Sequence, residues 1–176
     1  MKVLAFAASN SSKSINKNLV RYAASLLPDG DVEIIDIDDY AMPIYSSDLE
    51  EAHGIPEAAS RFLDKIAQAD ALLISYAEHN GNYTVAYKNL FDWASRQNRE
   101  VYQGKPITML STSPGAGGAK NVLSLAVGSA HVFAGKVMAS LSVPEFFKHF
   151  DRDEGVLTDP ELVKQLEETL LPLQQD

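Results

Sequence analysis

Apolar runs of strand length alternate with stretches at helical spacing from one end of the 176-residue chain to the other, and this alternation constrains the fold more than any other feature. The runs KVLAFA at 2 to 7, DVEIIDI at 31 to 37, DALLISY at 70 to 76, PITMLS at 106 to 111 and KVMASL at 136 to 141 read as strands. Between them, Leu19, Ala23, Leu26 and Leu27 share one helical face, and Ala58, Ala59, Phe62, Leu63 and Ile66 another, opened by Pro56. Further helices fit residues 84 to 95, about 119 to 131, and 160 to 170, the last begun by Asp159-Pro160. Parallel strands need crossover connections, which are right-handed and usually helical, so strict alternation implies a parallel sheet with helices on both faces.

Five strands and five helices fit an α/β, flavodoxin-like three-layer sandwich with strand order 2-1-3-4-5. No repeat, low-complexity tract or linker interrupts residues 1 to 176, which are expected to form a single domain. The longest irregular stretches, 38 to 55 and 142 to 158, are read as loops.

The balance of 24 acidic against 15 basic residues, with no Lys/Arg cluster, argues against nucleic acid as a partner, because affinity for a phosphate backbone needs clustered positive charge. Absence of cysteine excludes disulfides, thiolate catalysis, iron-sulfur clusters and Cys-based zinc sites. No apolar run reaches the ~20 residues that span a bilayer, and MKVLAFAASNSS reads as a buried first strand, not a signal sequence, so no membrane insertion and a cytoplasmic location are expected.

In an open parallel sheet, ligands bind at the carboxyl ends of the strands where the strand order reverses, here between strands 1 and 3. Three unusual loops fall at that edge. SNSSKSIN, residues 9 to 16, runs into a helix whose free N–H groups and dipole, with the hydroxyls of Ser9, Ser11 and Ser14, suit a phosphate, although Ser or Asn before a helix also serves as an ordinary N-cap. AEHNGNYTVAYKNLFDW, residues 77 to 93, holds Asn80-Gly81; a helix from Val85 argues against a hairpin there, and the Gly allows a flat ligand to approach the backbone. His79 has no neighbouring ligand set for a metal. STSPGAGGAKN, residues 111 to 121, is Gly-rich but spells neither a P-loop nor GxGxxG. GxSxG and HExxH are absent, and Ser75 and Tyr76 stand where a phosphoryl-accepting receiver would place an Asp.

These loops resemble the motifs of the NADPH-dependent FMN reductases, flavodoxin-like enzymes that include quinone, azo-dye and metal-ion reductases. Ala8, Ser9, Asn10, Ser11, Ser14 and Asn16 match a first loop of the form G-S-L-R-x-x-S-x-N, with Ser11 in place of its Arg. Glu78, Asn80, Gly81, Lys88, Asn89, Asp92 and Trp93 match P-E-Y-N-G-S-x-P-x-x-L-K-N-x-x-D-W, from which Ala77, His79, Asn82 and Thr84 depart. Ser111, Ser113, Gly115, Gly117 and, one residue out of register, Gly118 match S-x-S-x-G-x-x-G-G.

The resemblance implies an FMN whose phosphate is held by Ser9, Ser11, Ser14, Ile15 and Asn16. It implies an isoalloxazine ring bordered by Glu78, His79, Asn80 and Gly81 and closed by Ser113, Pro114, Gly115 and Gly117. Lys88, Asn89, Asp92 and Trp93 would pack the third helix or a subunit contact, with a homodimer or homotetramer expected. The implied activity passes hydride from NADPH or NADH through FMN to a quinone-like or other small-molecule electron acceptor, with no catalytic side chain of the protein's own. A flavodoxin-like electron carrier without NAD(P)H activity, or a flavin-free binding protein, would share the fold.

Overall fold

In the computed structural model, residues 1–28 and 32–174 are described, so the expected start of the second strand at Asp31 lies outside them. The chain runs β1 (Val3–Ala8), α1 (Ile15–Ser25), β2 (Val32–Ile34), α2 (Ser47–His53), α3 (Glu57–Gln68), β3 (Ala71–Tyr76), β4 (Glu78–His79), β5 (Asn82–Tyr83), α4 (Val85–Gln97), β6 (Pro106–Thr112), α5 (Lys120–Ser129), β7 (Lys136–Val143), α6 (Phe146–His149), β8 (Phe150–Asp151), β9 (Val156–Leu157) and α7 (Pro160–Leu170). Strands β2, β1, β3, β6 and β7 lie in that order in one five-stranded sheet, every pairing parallel. This is the expected 2-1-3-4-5 arrangement, and it puts the reversal of strand order between β1 and β3.

Every side chain of β1 and of β3 is buried, because helices cover both faces of the sheet. Alternate residues serve opposite cores. Leu4, Phe6, Leu72, Ile74, Ile107 and Met109 pack with Phe62 and Ile66 of α3, Tyr87 and Leu90 of α4 and Val122 of α5. Val3, Ala5, Leu73 and Leu110 pack on the other side with Leu19 and Ala23 of α1 and Leu166 and Leu170 of α7. Each large apolar side chain so buried contributes about 1.5–3 kcal/mol.

Three expectations are corrected. The second strand ends at Ile34, because the Asp36 carboxylate accepts a hydrogen bond from Asp38 N at 3.1 Å and caps a 3-10 turn over Ile37–Tyr40. The Asn80-Gly81 turn does close a hairpin: β4 pairs antiparallel with β5, and φ is 54° at Asn80 and 76° at Gly81. Positive φ at both central residues is the geometry that matches a tight two-residue hairpin, and Asn82–Tyr83 supply the second strand before α4 begins. The stretches read as loops, 38 to 55 and 142 to 158, contain α2 in the first and α6 with the β8–β9 hairpin in the second.

Asn89 and Trp93 of α4 explain how the long 38 to 46 segment is held. Asn89 Nδ2 donates to Met42 O at 3.0 Å, Asn89 Oδ1 accepts from Tyr45 N at 2.9 Å, and the fully buried Trp93 donates from Nε1 to Pro43 O at 2.8 Å. Lys88 and Asp92 form an i,i+4 ion pair at 2.7 Å on the outer face of the helix.

Candidate active site

Three loops meet at the carboxyl edge of the sheet. The first leaves β1 through buried Ser9 and exposed Asn10, Ser11, Ser12 and Lys13, then enters α1. It is shaped locally: Ser9 Oγ accepts from Ser11 N and Ser11 Oγ from Lys13 N, each at 3.3 Å, and Ser14 N donates to Ser11 O at 3.2 Å. Ser14 is the N-cap of α1, yet its hydroxyl makes no capping bond. The N–H groups of Ile15 and Asn16 likewise donate to no acceptor among the described residues. A hydroxyl with no partner among the described residues, first-turn N–H groups likewise unpaired and the positive end of an 11-residue helix are groups that could receive an anion.

Charge there comes from the backbone and not from side chains. Lys17, in the first turn of α1, is buried, and its ammonium lies 2.5 Å from an Asp36 carboxylate oxygen. Burial pushes the Asp36 carboxyl up, but the Lys17 hydrogen bond, the Asp38 N–H and the charges of Lys17 and Arg21 outweigh it and hold the group below its ordinary value. Lys17 is thus committed to fastening α1 to the end of β2, and Lys13 stands in solvent.

Asn16 turns away from the loop. Its Oδ1 accepts from Ser75 Oγ at 2.8 Å and Thr112 N at 3.1 Å, and its Nδ2 donates to Thr112 O at 3.1 Å. The side chain is a buried clamp joining α1 to the ends of β3 and β6. Thr84 makes a similar join, donating from Oγ1 to Ala8 O at 3.0 Å while accepting from Tyr87 N at 3.2 Å as the N-cap of α4.

The second loop is the β4–β5 hairpin, which presents His79, Asn80 and Gly81 to solvent. Glu78 points the other way: its Oε2 accepts from Val122 N at 2.9 Å and its Oε1 from Asn121 Nδ2 at 3.3 Å, so the carboxylate occupies the N-terminus of α5. The third loop, Ser113 to Ala119, thus leads into a helix tied to the hairpin through Glu78, and it is itself held by the turn that follows β7. Phe146 N donates to Ser113 O at 3.1 Å and Glu145 N to Gly115 O at 3.0 Å. The Gly118 carbonyl accepts from both Ser111 Oγ at 2.7 Å and Ser142 Oγ at 2.8 Å. A Cβ at Gly118 would collide with Ser142 Oγ, whereas at Gly115 and Gly117 it would meet open space along the rim of the site, next to exposed Pro114.

A cavity of about 350 Å³ adjoins the first two loops, lined by Asn10 and His79 on the loop side and by Tyr40, Met42, Ile44 and Val85 opposite. Behind the hairpin, the buried hydroxyl of Tyr102 is hydrogen-bonded to those of Tyr87 at 3.0 Å and Tyr76 at 3.4 Å. Burial raises the pKa of all three phenols, Tyr102 to about 12.

The residues expected at the site thus divide. Ser9, Ser11, Ser14 and Ile15 lie in the loop and first turn that lead into α1, and His79, Asn80, Gly81, Ser113, Pro114, Gly115 and Gly117 lie in the other two loops of the same sheet edge. The side chains of Asn16 and Glu78 hold the loops together. Sequence reading missed Thr84, Thr112 and Glu145; only Thr84, a hydroxyl immediately before a helix, carried a local signal.

Residues 1–148 match the family described as NADPH-dependent FMN reductase. An NAD(P)H:quinone oxidoreductase of Solanum tuberosum is 32% identical over 185 residues, covering 99% of this chain and 91% of that protein. An NAD(P)H-dependent FMN reductase of Pseudomonas aeruginosa is 38% identical over 116 residues, which cover 65% of this chain and 61% of that protein. The solved flavoenzyme NAD(P)H:(acceptor) oxidoreductase of Paracoccus denitrificans superposes with a TM-score of 0.75 at 28% identity, over 95% of this chain and 91% of that one. On sequence and fold together, the chain belongs to the NADPH-dependent FMN reductase family.

Proposed function

We propose that the chain binds FMN at this edge, phosphate at the start of α1 and ring between the hairpin and the glycine loop, and acts as an NAD(P)H-dependent oxidoreductase toward a quinone-like small acceptor. The observation that carries this reading is the convergence of the Ser14 hydroxyl and the unpaired N–H groups of Ile15 and Asn16 at the strand-order reversal of a chain of this family. FMN held there would supply the redox chemistry between a nicotinamide and the acceptor.

The chain's own part is binding and orientation. Ser9, Ser11 and the start of α1 meet the phosphate with neutral donors. The Asn80-Gly81 turn, with both residues at positive φ, offers exposed backbone to a flat ring edge. Glu78 is committed to α5, so the reading assigns no carboxylate of the edge to proton transfer. The cavity beside Asn10 and His79 has room for an acceptor ring against Met42 and Ile44.

The proposal includes a homodimer working in the cytoplasm. Val85 and Ile44 are 68% and 67% exposed and flank the Lys88–Asp92 pair, and two antiparallel copies of α4 would set each Lys88 against the other copy's Asp92. No helix among the described residues is long and apolar enough to cross a membrane.

The test is to titrate purified protein with FMN, then follow NADH and NADPH oxidation with a benzoquinone acceptor. Saturable FMN binding with parallel-line, two-step kinetics is expected. No FMN binding at millimolar ligand overturns the reading, and binding without NAD(P)H oxidation favours an electron carrier of the same fold.

A further inference from the structure

Two buried polar side chains bracket the first loop, one at each end. At its far end Asn16 fastens α1 to β3 and β6. At its near end the holder is Thr84, which belongs neither to β1 nor to the loop. Its hydroxyl donates to Ala8 O, the carbonyl immediately before Ser9, at 3.0 Å and accepts from Tyr87 N at 3.2 Å. Thr84 and Ala8 are both 1% exposed, so solvent does not replace these bonds where they are lost.

A hydroxyl has one proton and two lone pairs, and Thr84 places them on groups 76 residues before it and 3 after it. The accepted bond starts α4, whereas the donated bond leaves α4 and crosses to β1. Because Thr84 directly follows Tyr83 of the β4–β5 hairpin, one side chain fixes the hairpin, the start of α4 and the start of the first loop relative to one another. Neighbouring rings hold that position: Tyr87 lies 5.4 Å from Tyr83, 5.5 Å from Tyr76 and 6.4 Å from Phe6, centroid to centroid. Two departures from the resembled motifs bear on the same loop. Position 84 carries Thr where the motif has Pro, which has no hydroxyl, and Ser11 stands where the first motif has Arg. A loop without that charge offers neutral donors, and their effect on an anion depends on being held in place beforehand.

We infer that Thr84 is a positioning residue that sets the spacing between the first loop and the Asn80-Gly81 hairpin, and so favours a flavin with a terminal phosphate over one without. This rests on the FMN reading given above. FMN spans both loops, whereas riboflavin, the same ring and chain without the phosphate, engages the hairpin side alone. Loosening the joint therefore lowers the affinity for FMN and leaves that for riboflavin largely as it was.

Dissociation constants for FMN and riboflavin are measured by quenching of flavin fluorescence for the wild type, Thr84→Ser, Thr84→Val and Thr84→Pro. Serine keeps a hydroxyl with both capacities, and valine keeps the shape of threonine without it. Thr84→Pro removes the hydroxyl on a backbone that already suits proline, φ being -62° at Thr84, so a second variant without the hydroxyl is at hand if Thr84→Val does not fold. The wild type should prefer FMN to riboflavin. Thr84→Val and Thr84→Pro should reduce that preference about 3- to 10-fold, the size expected from one hydrogen bond, and Thr84→Ser should retain it.

Parallel losses for the two flavins would make Thr84 a structural residue only and overturn the inference. A Thr84→Ser variant that behaves like Thr84→Val overturns it too, since the hydroxyl is then not the acting group. Wild-type protein that binds FMN, with a preference unchanged by the variants, sinks the inference alone. Wild-type protein that binds neither flavin sinks the functional reading and the inference with it.

Discussion

Ser14 and Asn16, two residues apart, separate the proposed ligand site from its scaffold. Ser14→Ala removes a hydroxyl that bonds nothing among the described residues, so it should weaken FMN binding about 3- to 10-fold while leaving urea unfolding within about 0.5 kcal/mol of the wild type. Asn16→Ala strands Ser75 Oγ and both backbone groups of Thr112 in the interior and should cost about 2–4 kcal/mol by the same unfolding measurement. Equal stability losses in the two variants would mean that Ser14 is structural as well. The polarity of this stretch was legible in sequence. The division of labour was not, since Asn16 finds its partners at 75 and 112, on strands that only the folded sheet brings beside it.

Elements matter here through the joints between them. Glu78 ties the β4–β5 hairpin to α5, so its loss frees two of the three loops at once. Glu78→Ala should destabilise the protein by about 1–2 kcal/mol and weaken FMN binding, whereas Glu78→Gln keeps an acceptor for Val122 N and should recover most of the stability. Chemical denaturation of both variants checks this, and identical losses would count against a capping role. Helices and strands were readable wherever the apolar period was long, as along α3 and β3. The short β4–β5 hairpin was not, because two-residue strands have no period and the helix signal from Val85 onward overshadowed them. The same brevity hid α2, α6 and the β8–β9 hairpin.

For the whole molecule, the buried phenols of Tyr76, Tyr87 and Tyr102 set an alkaline limit. Unfolded phenols ionise near pH 10, whereas burial in the fold raises all three and takes Tyr102 to about 12. Above that onset the unfolded chain sheds protons that the folded chain keeps, so stability falls by about 1.4 kcal/mol per pH unit for each such tyrosine. Urea unfolding on either side of the onset should show the decline, and Tyr102→Phe should make it shallower. The sequence by itself determined a five-stranded parallel sheet covered by helices and pointed to the order the structure shows, because hydrophobic period and crossover handedness are local or nearly local properties. Only the tertiary structure decided which polar side chains face that edge. Asn16 and Glu78 are motif residues but spend their hydrogen-bonding capacity inside the protein, on partners 43 to 96 residues away in the chain. A buried polar group left unpaired costs more than a ligand contact offers, so the fold claims such side chains first and leaves Ser14 and the open N–H groups of α1 for the phosphate proposed there.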